Sequence, residues 1–180
     1  MALITEVKMG HKEHKNSAPK SVNCYILTVS DTRTPETDES GKLIKELLIN
    51  SSHKITGYKI CKDDCDLLHS LLINILSSEE TEAVIINGGT GIGERDITIE
   101  VIKKLFDKEL TGFGEIFRYL SYLEIGASAI MSRASAGVAK NKIIISLPGS
   151  KGAVTLGMNK LILPELGHMI REIKSIKCSC

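Results

Sequence analysis

The chain has 180 residues, and its 23 Lys and Arg against 22 Asp and Glu give a formal net charge of +1 at pH 7. That length is typical of one domain with its own core, and a near-zero charge provides no overall field that would attract nucleic acid or an anionic membrane. No apolar run has the length that crosses a membrane, and residues 1–25 are rich in Lys, His and Ser rather than signal-like. We therefore expect a soluble, cytoplasmic protein with neither a nucleic-acid nor a membrane partner.

The five cysteines form an odd set whose spacings match neither a disulfide scaffold nor the C-x2-C pattern of metal sites. We interpret them as thiols. Cys24 and Cys61 lie in apolar, strand-like runs and are predicted to be buried, since free cysteine is among the most buried residue types.

Strand and helix patterns alternate along the chain. Residues 1–20 show no sustained period and are predicted to form an N-terminal arm, whereas residues 21–180 are predicted to form one domain. Short, apolar, β-branched runs predict strands at 22–29, 54–61, 83–86 and 142–147. Apolar residues at helical spacing predict helices that include 43–48, 67–76, 101–105, 113–123, 154–162 and 166–173. This alternation indicates an α/β fold with a parallel sheet.

The boundaries of several elements carry local signals. Ser40 is placed to cap the first helix, and Pro164 suits the start of the last one. In the second helix, Leu67 is counted with the inward-facing residues. The small residues at 132–136 predict a loop.

Three polar, glycine-bearing loops follow predicted strands, at 30–41, 87–96 and 147–152. Loops of this kind converge at the carboxyl edge of a parallel sheet, where glycine turns let backbone N–H groups approach phosphate oxygens. Lys151 adds a positive charge to the third loop. Gly88 to Gly93 lacks the Lys and Ser/Thr that complete a P-loop, so the pattern predicts an anion site or a merely tight turn.

The carboxylates in or beside these loops include Asp38, Asp63, Asp64 and Asp96. Carboxylates at adjacent strand ends can hold Mg²⁺ against substrate phosphates. Asp is also a favoured helix cap, so each of these residues has a purely structural alternative. The residues alone leave both interpretations open.

Six motifs occur in a fixed order: TVSDTR at 28–33, TDESG at 37–41, GGTG at 88–91 continuing to Asp96, GFGE at 112–115, SR at 132–133 with Gly137, and LPGS at 147–150. In this order and spacing they resemble the MoaB/MogA family of molybdenum cofactor biosynthesis proteins, over residues 22–173. The resemblance implies a three-layer α/β/α fold with a mostly parallel sheet. It also implies a molybdopterin adenylyltransferase, in which the terminal phosphate of molybdopterin attacks the α-phosphorus of Mg·ATP and releases pyrophosphate.

The resemblance also assigns roles position by position. Asp63 and Asp96 match the family's catalytic carboxylates and are expected to hold Mg²⁺. The other matched positions are expected to bind ATP and molybdopterin: Ser30, Asp31, Asp38, Ser40, Gly41, Gly88, Gly89, Thr90, Gly91, Glu115, Ser132, Pro148, Gly149, Ser150 and Lys151. The segment from Cys61 to Asp64 departs from many relatives, which carry Pro before the acidic residue.

Two other functional interpretations stay open. The first is a protein of the same fold that binds molybdopterin without adenylylating it, and the second is a scaffold, which the single-domain length disfavours. The resemblance implies a homotrimer or a homohexamer, with the N-terminal arm contributing to subunit contacts. In keeping with this, the segment 113–123 has more apolar residues than one helix face needs: Phe113, Ile116, Phe117, Leu120 and Leu123.

Overall fold

A computed structural model describes residues 18–175. Its strands are β1 (Asn23–Val29), β2 (Lys54–Cys61), β3 (Ala83–Asn87), β4 (Lys108–Glu109), β5 (Ser135–Ala139) and β6 (Lys142–Leu147). They form one sheet in the order β2-β1-β3-β6-β5-β4. The first four strands in this order are parallel to one another, whereas β5 is antiparallel to β6 and β4 is antiparallel to β5.

Helices cover both faces of the sheet. They are α1 (Glu39–Asn50), α2 (Cys65–Ser77), α3 (Thr98–Leu105), α4 (Thr111–Ile125), α5 (Lys151–Gly157) and α6 (Leu163–Ser175), with a 3-10 helix at Gly126–Met131 and a π-helical turn at Met158–Ile162. No helix among residues 18–175 is long and apolar enough to cross a membrane.

The core has two halves, one on each face of the sheet. Ile85 of β3 packs in the half that contains α1, α4, α5 and α6, while its neighbour Ile86 packs in the half that contains α2 and α3. Successive strand residues point to opposite faces, so a strand covered on both faces must be apolar throughout. The predicted three-layer α/β/α fold with a mostly parallel sheet is therefore confirmed.

Two short strands depart from the sequence prediction. Residues 135–139, which overlap the predicted loop at 132–136, form β5, and the two-residue strand β4 follows α3. Two glycines in this region, Gly137 and Gly114, allow close packing. A Cβ atom on Gly137 would lie 2.5 Å from the ring of Phe106, and one on Gly114 would lie 2.7 Å from the carbonyl oxygen of Ala134.

Three details of the helices also differ from prediction. Asp38, not Ser40, caps α1, because its carboxylate accepts the N–H of Gly41. Leu67 is 56% exposed, since it lies in the first turn of α2 beyond the covered face. Pro164 is the second residue of α6, but the chain runs from α5 through the π-helical turn into α6 without a break.

The cysteine prediction is confirmed for the described residues. Cys24 and Cys61 are buried free thiols, and Cys65 is an exposed one. Burial, assisted by the charge of Glu82, raises the pKa of Cys24 to about 12, which keeps it an inert core residue. Cys178, Cys180 and residues 1–17 of the predicted arm lie outside the described residues.

A matched pair of leucines on α2 tests this assignment of the core. Leu72 is fully buried, so Leu72→Ala should lower the free energy of unfolding by about 2–5 kcal/mol through lost burial and the cavity left behind. The exposed Leu67→Ala should change it by less than about 0.5 kcal/mol. Urea unfolding of the two variants measures both values, and equal losses would contradict the packing described here.

Candidate functional site

A cavity of about 590 Å³ lies beyond the carboxyl ends of β1, β3 and β6. The three loops predicted to converge there do so. The cavity is lined by Thr28, Val29, Ser30, Arg33, Asp63, Asn87, Gly88, Gly89, Thr90, Gly91, Arg95, Asp96, Met131, Ser132, Pro148, Gly149 and Ser150.

Most of the residues expected from the sequence line this cavity, but six do not. Asp31, Asp38, Ser40 and Gly41 lie behind or beside its wall, where they hold other residues in place. Glu115 lines a second cavity of about 620 Å³ that shares Ser132 with the first. Lys151 points elsewhere, because its ammonium group pairs with Glu39 at 3.0 Å on the exposed surface of the protein.

Six lining residues were missed by the sequence analysis: Thr28, Val29, Arg33, Asn87, Arg95 and Met131. Five of them lie within or directly beside the motifs at 28–33 and 88–96, so the strand-end rule applied to whole loops would have found them. Met131 gives no such signal, because it comes from the 3-10 helix after α4.

The glycine turn after β3 has a backbone that other residues would not adopt. Gly88 and Gly89 have φ values of +93° and +60°. A Cβ atom on Gly88 would lie 2.2 Å from the carbonyl oxygen of Val29. Thr98, at the start of α3, fixes the turn by donating its hydroxyl to the Gly88 oxygen at 3.0 Å and its N–H to the Gly89 oxygen at 2.9 Å. Glycine is therefore required here for both conformation and space.

Arg133 fastens the other end of this turn. Its guanidinium donates to the carbonyl oxygens of Thr90 and Asp96, each at 3.0 Å, and also forms an ion pair with Glu100 of α3. Two loop carbonyls and a helix carboxylate are thus held by one planar group. The turn between Thr90 and Asp96 consequently has a defined shape without bound ligand.

The carboxylate of Asp38 is buried beneath the cavity. It accepts the hydroxyls of Thr28 and Tyr58 and the N–H of Gly41, and Arg33 lies 3.4 Å away. Burial alone would raise the pKa of Asp38, but these donors and the arginine charge outweigh burial and hold the pKa below its usual value. Asp38 is therefore an ionised structural group.

The loop after β6 is tied to the same network. The carbonyl oxygen of Gly149 accepts the hydroxyl of Ser40 at 2.8 Å and a guanidinium N–H of Arg33 at 3.2 Å. Arg33 thereby links the buried Asp38 to a loop more than a hundred residues away in sequence. Ser40, predicted to touch substrate, instead positions a wall of the cavity.

The four loop carboxylates divide into two pairs. Asp38 caps α1 and Asp64 caps α2, each accepting a backbone N–H at 2.9 Å. Asp63 and Asp96 cap no helix, and both line the cavity. Asp96 accepts the N–H of Gly93 at 2.9 Å, while α3 begins after Ile97 without a side-chain cap. Helix capping, the purely structural alternative, therefore applies to Asp38 and Asp64 and not to Asp63 and Asp96.

The electrostatics of Asp63 differ from those of Asp38. Partial burial and then the negative charges of Asp31 and Asp96 raise the pKa of Asp63, and only the backbone N–H of Asp31, which donates to the Asp63 carboxylate, and the charge of Arg95 oppose this shift. Asp31 and Asp96 are thus each close enough to Asp63 to repel its negative charge. An arrangement of this kind favours a cation or a proton between them.

Magnesium fits this donor set only with help from a substrate. No group of three or more His, Cys, Asp or Glu side chains that could hold a metal occurs among residues 18–175. Asp63 and Asp96 would supply the protein's share of the ligands, and Mg²⁺ commonly completes such a site with waters and substrate phosphates.

The contrast between Asp38 and Asp63 makes a testable prediction about stability. Asp38→Asn should lower the free energy of unfolding at pH 7 by about 1–3 kcal/mol, because an amide NH₂ would face donors in place of a carboxylate oxygen. The wild-type advantage should shrink as the pH falls through the depressed pKa of Asp38, where the folded protein also becomes protonated.

Asp63→Asn should raise the free energy of unfolding rather than lower it. A pKa raised in the folded state means that ionisation of Asp63 costs stability as the pH rises through that pKa. The amide removes that repulsion and should stabilise the protein by up to about 1 kcal/mol at pH 7, the scale of partly exposed charges. Urea unfolding of both variants measures the two signs, and a destabilised Asp63→Asn protein would contradict the charge cluster described here.

Comparisons with known proteins agree with this fold. A family model described as "Probable molybdopterin binding domain" matches residues 25–168. Molybdenum cofactor biosynthesis protein B of Bacillus subtilis (strain 168) is 56% identical over 170 residues, which cover 94% of this chain and 100% of that protein. The corresponding protein of Staphylococcus carnosus (strain TM300) is 51% identical over 169 residues, which cover 92% of this chain and 99% of that one.

Solved structures give the same result. A crystal structure of molybdenum cofactor biosynthesis protein B superposes with a TM-score of 0.85 at 53% identity, covering 88% of this chain and 99% of that one. The tungsten cofactor synthesizing protein MoaB from Pyrococcus furiosus has a TM-score of 0.77 at 40% identity, covering 87% of this chain and 99% of that one. This chain belongs to the MoaB/MogA family of molybdenum cofactor biosynthesis proteins.

Proposed function

We propose that the protein adenylylates molybdopterin. A terminal phosphate oxygen of molybdopterin forms a bond to the α-phosphorus of ATP, the bond from that phosphorus to the β-phosphate oxygen breaks, and pyrophosphate leaves. The observation that carries the proposal is the division of the carboxylates: Asp63 and Asp96 face the cavity beside the glycine turn, while Asp38 and Asp64 are used as caps.

The chemistry of the reactants fits such a cavity. The terminal phosphate of molybdopterin is already ionised near pH 7, so it needs alignment and charge neutralisation rather than a general base. Backbone N–H groups of the glycine turn can approach phosphate oxygens because the turn has no Cβ atoms in the way. Asp63 and Asp96 would hold Mg²⁺, which supplies positive charge between the two phosphates when it is bound.

The names of relatives support the substrate class. Similar proteins from Bacillus and Staphylococcus are described by their part in molybdenum cofactor biosynthesis, and the Pyrococcus protein by its part in tungsten cofactor synthesis. Because the matching family model is described as a probable molybdopterin binding domain, we propose molybdopterin as the acceptor and ATP as the donor of the adenylyl group.

The proposed catalytic carboxylates have a matched control in Asp64. Asp96→Asn should lower the rate of adenylylation roughly a hundredfold or more, on the scale of losing one electrostatic element of a site. Asp63→Asn should behave alike, and the double variant should be little worse than either single one, as for residues that act as a unit. Asp64→Asn should leave the rate unchanged, because Asn caps a helix as well as Asp does.

The measurement is pyrophosphate release in a mixture of protein, molybdopterin and Mg·ATP. Full activity in Asp96→Asn would remove the catalytic assignment. Molybdopterin binding by the wild-type protein without pyrophosphate release would instead identify a binding protein of the same fold.

We also propose that α4 forms a subunit interface of a homotrimer or homohexamer. Of the apolar residues predicted to exceed one helix face, Phe113 and Phe117 are buried, whereas Ile116 and Leu123 are exposed. The exposed residues continue into a wider apolar patch on α4 and the 3-10 helix: Ile116, Tyr119, Tyr122, Leu123, Ile125, Ile130 and Met131. Contiguous exposed apolar surface of this kind marks interfaces. Met131 also lines the cavity, so a neighbouring subunit would border the site.

A charge placed in this patch should disrupt the assembly. Leu123 is 63% exposed on α4, and Leu123→Lys should shift the molar mass measured by light scattering towards that of a single chain. Ile49→Lys is the matched control, since Ile49 is 52% exposed on α1 and outside the patch, and it should leave the mass unchanged. A wild-type protein that is monomeric at micromolar concentration would reject the proposed interface.

A further inference from the structure

Two arginines, Arg33 and Arg95, are the only Lys or Arg residues among the described residues that line the cavity of about 590 Å³. Arg33 is already engaged, because one amino group faces Asp38 and the other donates to the carbonyl oxygen of Gly149. Its side chain is 31% exposed, whereas that of Arg95 is 68% exposed. Arg95 is therefore the more exposed of the two cations and the more accessible to an incoming anion.

The guanidinium of Arg95 is held in one place by Asp31. Its Nε and Nη2 atoms lie 2.7 Å and 2.6 Å from Oδ2 of Asp31. Nη2 also donates to the carbonyl oxygen of Asp63 at 3.2 Å, and Oδ1 of Asp31 accepts the N–H of Asp63 at 3.3 Å. The loop after β1, the loop after β2 and the glycine turn thus meet at one guanidinium group.

This position lies beside a proposed magnesium ligand but at the rim of the cavity. The reacting α-phosphorus needs the molybdopterin phosphate on one side, the leaving oxygen on the other and the carboxylates nearby, which places it inside the cavity. The leaving pyrophosphate must then extend towards solvent. Negative charge grows on this leaving group during transfer, and a guanidinium fork matches phosphate oxygens in geometry as well as charge.

We infer that Arg95, oriented by Asp31, contacts the β- and γ-phosphates of the bound nucleotide, the two that leave as pyrophosphate. The inference rests on the proposed adenylyl transfer. Asp31, expected from the sequence to touch substrate, is on this account a positioning residue. Its carboxylate fixes the plane of the guanidinium, and the contacts of that group with Asp31 and Asp63 use Nε and Nη2 rather than Nη1.

The test compares ligands that differ in their phosphate chain. Arg95→Met removes the charge and the fork while keeping an unbranched side chain. Calorimetric titration should show that its Kd rises roughly ten- to hundredfold for Mg·ATP and for magnesium pyrophosphate, the scale of hydrogen bonds to charged groups. The Kd values for AMP and molybdopterin should stay within about twofold of wild type. Arg95→Lys, which keeps the charge without the fork, should lie between the two proteins.

Lys62→Met is the matched control. Lys62 is exposed, precedes Asp63 directly and does not line the cavity, so this variant removes one positive charge from the same edge of the sheet. It should leave all four Kd values unchanged. A loss of Mg·ATP affinity equal to that of Arg95→Met would show a general field effect and overturn the assigned contact.

Asp31→Asn separates positioning from contact. It should weaken Mg·ATP binding by a smaller factor than Arg95→Met, and the double variant should be no worse than Arg95→Met alone. Thermal melting of each variant checks that the fold is intact, since an exposed Arg–Asp pair contributes at most about 1 kcal/mol.

Several results would overturn the inference. Equal losses of affinity for ATP and AMP would assign Arg95 a role in loop shape, and a loss confined to molybdopterin would assign it to the other phosphate. No loss for any ligand would remove it from the site. The proposed function is tested separately: a wild-type protein that releases no pyrophosphate, yet binds Mg·ATP in an Arg95-dependent way, would contradict adenylyl transfer and leave this contact standing.

Discussion

The geometry of the site depends on one buried negative charge, the carboxylate of Asp38. Three hydrogen-bond donors from β1, β2 and the first turn of α1 converge on it. A buried carboxylate without such partners would cost several kcal/mol, so these donors keep the strands and the helix in register. Arg33 links this carboxylate to the cavity wall, because its guanidinium pairs with Asp38 and also donates to the carbonyl oxygen of Gly149. Two walls of the cavity are in this way fixed by a residue that never faces the ligand.

This constraint explains why the sequence predicted the place of the site better than the roles of its residues. Local apolar periodicity predicts the alternation of strands and helices, and the parallel topology makes the strand-end loops converge. The roles of four similar aspartates depend instead on where each side chain points. Asp63 and Asp64 are neighbours, yet one caps α2 and the other faces the cavity. A sequence pattern without three-dimensional placement has no means of distinguishing them.

The same limit applies to the small residues between α4 and β6. A run rich in Ser and Ala is typical of a loop, and a loop was therefore predicted at 132–136. In the structure Gly137 of β5 packs directly against the ring of Phe106, and Gly114 of α4 packs against the carbonyl oxygen of Ala134, so a larger side chain at either glycine would clash. Tertiary contact, rather than local preference, makes 135–139 a strand. The edge strand β4 is missed for a related reason, since two residues carry no period at all.

The negative charges in and beside the cavity act against the stability of the folded protein. Asp31 and Asp96 both repel the charge of Asp63, and the pKa of Asp63 rises as a result of burial and these neighbours. The Asp38 network shows that the same fold can pair a carboxylate fully when only structure is required. The charge around Asp63 is offset only in part by Arg95, which points to a positive partner that arrives with the ligand. Asp63 and Asp96 would hold Mg²⁺, which would balance negative charge that Arg95 offsets only in part. Binding of the charged substrates would then stabilise the folded state, because they interact with the cluster in the native protein and not in the unfolded chain.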